Sequence, residues 1–463
     1  MGAFVERVHF VGIGGVGMSG IAEVLHNLGY KVSGSDLMDT EITRRLKGLG
    51  VAVHLGHAAR LVKDCQVVVV SSAVAPDNPE VAAARAAGIP VVQRALMLAE
   101  LGRMKQTVTV AGSHGKTTTT SMVAMALKSA GADPTMVVGG QLKDIRSNAR
   151  LGVGEYLVAE ADESDGSFLH LSPLAAVVTN VDDDHLDYYG TLERLRSAFL
   201  EHLRRLPFYG AAILCADDPA LKAIAGALDL RGCPSPGRVI TYGASRAAEW
   251  RAACIELSSA GSSFVVLHRG KAMGTIRLKV PGRHNVLNAL GALAAGMFLG
   301  FPFKALARGL SEFGGVGRRL DVLGEASGVH FVDDYGHHPT EVAATLEALR
   351  LWKGRRVVVF QPHRYSRTKL LAERFGPAFR AADFVYVMDV YAAGEKPVPG
   401  VTSKLILDSL RRSRVKCAPF LSALAVAREL APGDVVLTLG AGDVWKIGED
   451  LLRRSRTQFT SPV

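Results

Sequence analysis

Three consecutive α/β domains, each on a mostly parallel sheet, are what this sequence predicts. Three observations carry that expectation. The chain has 463 residues, and at roughly 150 residues per domain this suggests about three cores. Short β-branched runs alternate with helical stretches along its length, the pattern of parallel-sheet units. Glycine is abundant at 49 residues, against a usual share of about 7%. The excess falls largely in tight strand-to-helix connections, where backbone must approach a ligand closely.

The first unit, residues 1–105, opens with a strand at Val8 to Val11. It continues through Lys31 to Ser35 and Cys65 to Ser71, and closes with a helix at Ala95 to Arg103. The second, 106–317, begins at Thr107 to Ala111 and includes expected antiparallel strands near Ser263 to Leu267 and Thr275 to Val280. An apolar helix is expected around Ala289 to Phe301, stopped by Pro302 and too short to span a bilayer. The third unit, 318–463, carries strands at Val329 to Asp333, Val357 to Phe360, Phe384 to Met388 and Val435 to Leu439.

Composition sets the class. Hydrophobic residues make up 48% and charged residues 21%, values of a normal globular protein. The five cysteines are scattered and form no CxxC pair, so neither a disulfide framework nor a zinc site is expected, and a reducing cytoplasm fits. No secretory signal is expected, because Glu6 and Arg7 lead straight into a short apolar strand. The net charge of +10 is dispersed. Without an aromatic-rich basic stripe, it points to small polyanionic ligands rather than nucleic acid.

Two glycine loops sharpen that. Gly12-Ile13-Gly14-Gly15-Val16-Gly17 follows a strand and opens a helix, so its N–H groups would meet a diphosphate at the helix N-terminus. Asp36, ending the next strand, stands where a ribose-binding acid is expected. Close helix–strand packing is the other use such glycines have. The second loop, Ala111-Gly112-Ser113-His114-Gly115-Lys116-Thr117, is more specific. Its amides would cradle phosphates, Lys116 would reach the terminal phosphates, and the Thr117 hydroxyl would ligate magnesium. It departs from GxxxxGK[ST], since Val110 stands at the first glycine position.

Carboxylates gather at strand ends. Tyr156 to Ala159 runs into Glu160-Ala161-Asp162-Glu163-Ser164-Asp165, and Val177 to Asn180 runs into Asp182-Asp183-Asp184-His185. Two acidic strand ends converging on one mouth suit a hard cation, although which acids bind it stays open. In the third unit, Asp333-Asp334-Tyr335-Gly336-His337-His338-Pro339 and Gln361-Pro362-His363-Arg364-Tyr365-Ser366-Arg367 follow strands. Arg364 and Arg367 suit bidentate grip on carboxylate or phosphate. At least one of the paired histidines is expected to be a helix cap or core contact, and neighbouring residues rarely both face one metal.

These residues together resemble the Mur ligases of bacterial cell-wall synthesis. The resemblance covers nearly the whole chain through GIGGVGMSG from Gly12, GSHGKTTTT from Gly112, EADESD from Glu160, HNVLN from His284, GVGRR from Gly315, DDYGHHPTE from Asp333 and FQPHRYSRT from Phe360. It implies a Rossmann-like first domain for a UDP-sugar and a central P-loop ATPase-like domain for ATP and metal. A Rossmann-like third domain would serve the incoming amino acid and part of the nucleotide. The implied reaction is ATP-dependent joining of L-alanine to the carboxylate of UDP-N-acetylmuramate, with magnesium or manganese as cofactor.

Matched motif to motif, the resemblance places Gly112, Ser113, His114, Gly115, Lys116, Thr117 and Thr118 at ATP, with Asn285, Asn288, Arg319 and Asp334 beside them. Thr117, Glu160 and His185 would hold metal. Gly12, Gly14, Gly15, Gly17, Asp36, Ser71, Ser72 and Tyr335 would serve the sugar nucleotide. Lys116, His185, Arg319, His337, Arg364 and Arg367 form the expected catalytic set, and domain closure would exclude water. UDP-N-acetylmuramate and L-alanine are the expected partners, with no nucleic acid and no membrane.

Two departures stand out. Ser113 replaces the usual threonine of the loop. Sister ligases carry a lysine modified by carbon dioxide after the metal histidine, whereas no lysine lies between His185 and Lys222. Either the alanine-adding branch manages without it, or another group substitutes. The competing expectations are a sister ligase attaching a preformed peptide, a nicotinamide dehydrogenase and a nucleic-acid NTPase. The dehydrogenase reading leaves Lys116 and Thr117 unexplained.

Overall fold

Three sheets organise the computed structural model, which describes residues 5–71, 73–143, 147–228 and 237–457. The first contains β1 (Arg7–Val11), β2 (Lys31–Asp36), β3 (Ala52–Leu55), β4 (Val67–Val70) and β5 (Val91–Gln93), in the order β3-β2-β1-β4-β5. All its pairings are parallel. Strand order reverses between β1 and β4, and an open sheet binds ligands outside the C-terminal ends of strands at that point. The Gly12–Gly17 loop leaves β1 there and enters the helix Val16–Asn27. β1 presents Val8, Phe10 and Val11 fully buried, as a strand covered on both faces must.

The second sheet contains β6 (Gln106–Ala111), β7 (Thr135–Leu142), β8 (Ser147–Arg150), β9 (Tyr156–Glu160), β10 (Ala175–Val178), β11 (Ala211–Cys215), β12 (Arg238–Gly243), β13 (Trp250–Ser258), β14 (Gly261–His268) and β15 (Lys271–Leu278). Its order is β15-β14-β13-β12-β11-β10-β6-β9-β7-β8. The central pairings β9–β6–β10–β11–β12 are parallel, while β8 runs antiparallel to β7. The third sheet holds β16 (Asp321–Ala326), β17 (Val329–Asp334), β18 (Arg356–Phe360), β19 (Phe384–Val387), β20 (Cys417–Pro419) and β21 (Val435–Leu439), ordered β16-β17-β21-β18-β19-β20. Only its edge strand β16 is antiparallel among these pairings.

The chain groups into two compact units. One comprises Met1–Cys254, Phe264–Ile276 and Leu287–Phe313; the other comprises Ile255–Ser263, Arg277–Val286 and Gly314–Val463. The first two sheets thus share most of one unit. Gly20 on the helix Val16–Asn27 lies so close to β8 that a Cβ there would come 3.1 Å from Ala149 Cβ. Asn148 of β8 also donates to the carbonyl of Val16.

Several boundaries differ from expectation. The apolar helix spans Arg283–Phe298 rather than 289–301, because its first turn is polar and escapes an apolar-run criterion. β10 ends at Val178, since Thr179 and Asn180 turn away to bond a neighbouring loop. Cys65, Cys215, Cys254 and Cys417 are free, and Cys233 lies outside the described residues. Among the described residues, no helix is long and apolar enough to cross a membrane.

One buried histidine in these cores is paired at both ring nitrogens. His202 on the helix Leu192–Arg204 is fully buried. Its ring nitrogens meet the Phe168 carbonyl at 3.1 Å and Thr109 Oγ1 at 3.3 Å, and the ring stacks on Phe168. Burial holds its pKa down to about 4, helped by Arg205 and opposed by the Phe168 carbonyl. A folded-state value below the unfolded 6.5 means the fold favours the neutral ring. The corresponding stability is complete above about pH 6.5 and is lost as pH falls towards 4, at up to roughly 1.4 kcal/mol per pH unit. Urea titrations across this window should show that loss, and His202→Asn should flatten the slope while lowering stability at pH 7.5. An unchanged slope would contradict a neutral buried His202.

Candidate active site

The phosphate loop takes its shape from glycine. Gly112 has φ +127°, and a Cβ there would fall 2.1 Å from Thr179 Oγ1. Gly115 has φ +82° and lies under Asn288, whose Oδ1 would be 2.9 Å from an added Cβ. The end of β10 grips the loop from one side. Ser113 N donates to the Asn180 carbonyl (3.0 Å), His114 N to Asn180 Oδ1 (2.9 Å), and Thr179 Oγ1 to the His114 carbonyl (2.6 Å). The His114 ring meets Asp182 at 2.9 Å. Thr179 and Asn180 were not singled out from sequence. Their only signal is their position just past a strand beside β6.

Lys116, Thr117 and Thr118 form the first turn of the helix Lys116–Ser129, and both threonines are buried. The Lys116 ammonium donates to the Gly112 carbonyl (2.7 Å), the Ser113 carbonyl (3.3 Å) and Glu163 Oε1 (2.7 Å). Burial alone would lower its pKa, but Glu163, Asp162 and Glu160 raise it above the ordinary lysine value. It stays charged. Burial likewise pushes the Glu163 carboxyl up, against the pull of Lys116. Asp162 would also be raised by burial, yet Lys116, the Ser164 N–H and Arg94 hold it below the usual range. Arg94 lies 3.6 Å from Asp162 and also packs against Gly17 of the first glycine loop.

The acidic mouth is divided between two strand ends. Glu160 at the end of β9 accepts the Gly139 N–H at 2.9 Å. Glu163 is fully buried, and its Oε2 has no hydrogen-bond partner among the described residues. His185 adopts φ +57° at the head of the short helix Leu186–Tyr189. Its Nε2 lies 3.9 Å from Glu163 and 3.7 Å from Asp184. The structure therefore brings Lys116, Glu163 and His185 together and makes Glu163, beside the singled-out Glu160, the deepest acid. Hard oxygens, one imidazole and an orphaned buried carboxylate oxygen fit a small divalent cation.

At the first loop, Gly12 N and Ile13 N donate to the Ser35 carbonyl (2.9 and 3.0 Å). Both Asp36 oxygens accept backbone N–H groups, from Gly14 (2.8 Å) and Met38 (3.1 Å). Asp36 thus fixes the loop's shape. Gly15 caps the helix in extended conformation, and Ser71 lies against Gly12. Ser72 lies outside the described residues.

The other unit carries a cationic surface at the ends of β17, β18 and β21. Arg318, at φ +61°, donates to Asp333 (3.1 Å) and to the Gly442 and Gly440 carbonyls (3.1 and 2.5 Å). The guanidinium carbons of Arg318 and Arg319 each stand 5.0 Å from the Tyr335 ring centre. Asp334 accepts from Leu320 N (2.7 Å), Gly336 N (2.8 Å) and Thr345 Oγ1 (3.2 Å). Burial raises its pKa to about 6, opposed by Arg319. Asn285 donates to the Pro281 carbonyl at 2.7 Å. His338 caps the helix Pro339–Leu349 by accepting from Thr340 N. His337 Nδ1 meets the Tyr335 carbonyl at 3.1 Å, and its ring lies 5.4 Å from that of His363. His363 contacts Arg367 at 3.4 Å. Burial, then Arg367 and Arg364, hold the His363 ring down to about 4, so it is neutral.

This geometry has counterparts. Residues 7–106 match the model of the Mur ligase family catalytic domain, 110–296 the Mur ligase middle domain and 318–442 the Mur ligase glutamate ligase domain. The chain is 53% identical over 457 residues to the UDP-N-acetylmuramate–L-alanine ligase of Geobacter sp. (strain M21), covering 97% of this chain and 98% of that one. It is 51% identical to the enzyme of that name from Endomicrobium trichonymphae, covering 96% and 98%. The crystal structure of the UDP-N-acetylmuramate-alanine ligase MurC from Thermotoga maritima superposes with a TM-score of 0.81 at 32% identity, covering 98% and 99%. A murein peptide ligase from Psychrobacter arcticus shares the fold, with a TM-score of 0.72 at 23% identity over 99% and 100%. On these matches, which span all three sheets, the chain belongs to the Mur ligase family.

Proposed function

We propose that this chain is an ATP-dependent ligase that joins L-alanine to the carboxylate of UDP-N-acetylmuramate in peptidoglycan precursor synthesis, forming ADP and phosphate in the cytoplasm. The observation that carries this reading is the largely buried, charged Lys116 between a phosphate loop and an acidic mouth, in a chain whose full-length relatives carry that activity's name.

Each part has a task in this reading. The N–H groups of Val16 and Gly17, at the N-terminus of the helix Val16–Asn27, bind the diphosphate of the sugar nucleotide, with Asp36 setting the loop. The Gly112–Thr118 loop binds the ATP phosphates, with Asn285, Asn288 and Arg319 on the nucleotide side and Asp334 fixing the Arg319–Leu320 turn. Thr117, Glu160, Glu163 and His185 would hold magnesium, which when bound neutralises charge on the phosphoryl oxygens. An incoming triphosphate competes with Gly112, Ser113 and Glu163 for the Lys116 ammonium. Once it has moved onto the phosphates, that ammonium stabilises charge developing during phosphoryl transfer.

The chain offers no protein nucleophile among its motifs. A carboxylate oxygen is a poor leaving group, so the substrate carboxylate takes the γ-phosphoryl group and becomes an acyl phosphate. The amine of L-alanine attacks it and phosphate leaves. Arg364 and Arg367 hold the carboxylate oxygens of the incoming L-alanine. With His337 Nδ1–H donating to the Tyr335 carbonyl, Nε2 is the basic nitrogen and accepts the amine proton.

Three outcomes test this. Lys116→Ala should lower turnover by about a hundredfold or more while calorimetry shows UDP-N-acetylmuramate binding retained; near-normal turnover removes the phosphate role. Glu160→Ala should raise the magnesium concentration giving half-maximal rate. Glu163→Gln should do so too and also slow turnover at saturating magnesium, because it meets Lys116. Unchanged titrations would move the metal to other acids. Finally, oxygen-18 in the carboxylate of UDP-N-acetylmuramate should appear in released phosphate, with ADP formed only when L-alanine is supplied. Unlabelled phosphate excludes the acyl phosphate, and stimulation by a preformed peptide instead of L-alanine would reassign the substrate.

A further inference from the structure

Arg364 sits in a backbone conformation that arginine rarely adopts. Its φ is +67° and its ψ is 141°, close to a region that is almost exclusively glycine's and costs other residues on the order of 1–3 kcal/mol. Such a conformation persists only where surrounding structure over-determines it. Here the following helix holds one side, with Thr368 N and Oγ1 donating to the Arg364 carbonyl at 3.1 and 2.8 Å. A segment distant in sequence holds the other.

That segment is Tyr391–Glu395, which follows β19 and belongs to none of the motifs read from sequence. Arg364 N donates to the Tyr391 carbonyl (2.8 Å), and Tyr391 N to the Pro362 carbonyl (2.8 Å). The Tyr391 ring stacks on His363, with centroids 5.7 Å apart and planes 10° apart. Behind it stands Gly442, where a Cβ would come 2.7 Å from Tyr391 Cγ. Left-handed Ala393 (φ +48°) and Gly394 (φ +86°) then turn the chain back. Glu395 consequently accepts from Ser366 N (3.0 Å) and Ser366 Oγ (2.5 Å). The helix Tyr365–Ala378 has no side-chain cap of its own from Arg364, so Glu395 supplies one from outside, where a carboxylate also complements the helix dipole. Burial would raise the Glu395 carboxyl, yet Ser366, the Tyr365 N–H and Arg364 keep it below the usual range.

We propose that Tyr391–Glu395 is a brace, with Glu395 a positioning residue that fixes Arg364 and Arg367 for the carboxylate of the incoming amino acid. The inference rests on the reading of those two arginines given above. Arg367 lies three residues after Arg364, close to the same helix face. A first turn that frays without its cap therefore moves both guanidinium groups, while the phosphate loop and the first glycine loop belong to the other unit.

The test is steady-state kinetics with each substrate varied in turn. Glu395→Ala should raise KM for L-alanine about five- to thirtyfold, the factor corresponding to loss of one helix cap. KM for ATP and for UDP-N-acetylmuramate should stay within about twofold, with the thermal midpoint down by no more than about 4 °C. Glu395→Gln keeps an oxygen for Ser366 and should recover most of the alanine KM. A purely structural role would instead move all three KM values and kcat together with the midpoint, and would overturn the proposal. So would an unchanged alanine KM in Glu395→Ala while Arg367→Ala raises it. A flat response in Arg367→Ala as well would remove the amino-acid reading of the arginines, and the brace with it.

Discussion

An ammonium group largely withdrawn from water must find its stabilisation in fixed acceptors, and Lys116 is placed where this is hardest. It lies in the first turn of a helix, where the macrodipole already presents positive charge. Two loop carbonyls and Glu163 meet the demand directly, and Asp162 and Glu160 add to the field. The sheet order β10-β6-β9 makes this possible. β9 delivers the acids on one side of the loop that follows β6, and β10 delivers Thr179, Asn180 and Asp182 on the other. A one-residue slip of either strand would turn its outgoing segment away, leaving the lysine or the loop amides without partners.

The other unit solves the mirror-image problem. On the proposed function its surface presents arginines to anions and has to keep them from wandering, since a guanidinium that keeps its rotamer freedom loses much of what a bidentate contact contributes. Arg318 is tied to Asp333 and to two carbonyls from the end of β21. Arg319 lies beside the Tyr335 ring and 3.5 Å from Glu341. One Asp334 oxygen accepts from Leu320 N in the turn carrying Arg319, and the other from Gly336 N in its own loop. One site holds a cation among acids and the other holds cations on carbonyls and rings. In both, the anchors come from the ends of neighbouring parallel strands, where open sheets expose loops to ligands.

The legible features were those set by local constraints. Gly112 and Gly115 have positive φ, a local demand that makes the glycines of this strand-to-helix loop readable in the sequence. Strands such as Val435–Leu439 announced themselves by uninterrupted β-branched and leucine residues, and His338 is the helix cap that one of two adjacent histidines was expected to be. What depends on tertiary pairing was not legible. Glu160 and Glu163 look alike in an acidic run, and only folding buries one of them against Lys116. Asp36 occupies the position of a ribose acid, and only the fold shows that its oxygens also accept from the N–H groups of Gly14 and Met38. Four of the divisions between the two units fall within the strands β13 to β15 and the helix Arg283–Phe298, where composition does not change, and a fifth lies between Phe313 and Gly314.

Backbone strain is the least legible feature of all, and part of it lies among the proposed site residues. Among the described residues, the non-glycine positions with positive φ include His185, Arg318, Leu320, Arg364 and Ala393. Others, such as Arg269 and Ser327, sit in tight turns next to glycine, where the strain has an ordinary topological cause. A left-handed conformation costs an L-residue roughly 1–2 kcal/mol, and glycine would remove that cost at each position. At His185, Arg318 and Arg364 glycine would also remove the imidazole or guanidinium that the site presents. These positions must combine a left-handed turn with a long functional side chain, a pairing that no single residue type favours. The sequence therefore shows an unremarkable histidine or arginine, and the strain is borne by partners placed far away in the chain: Glu163 beside His185, Gly440 and Gly442 beneath Arg318, and Tyr391 behind Arg364.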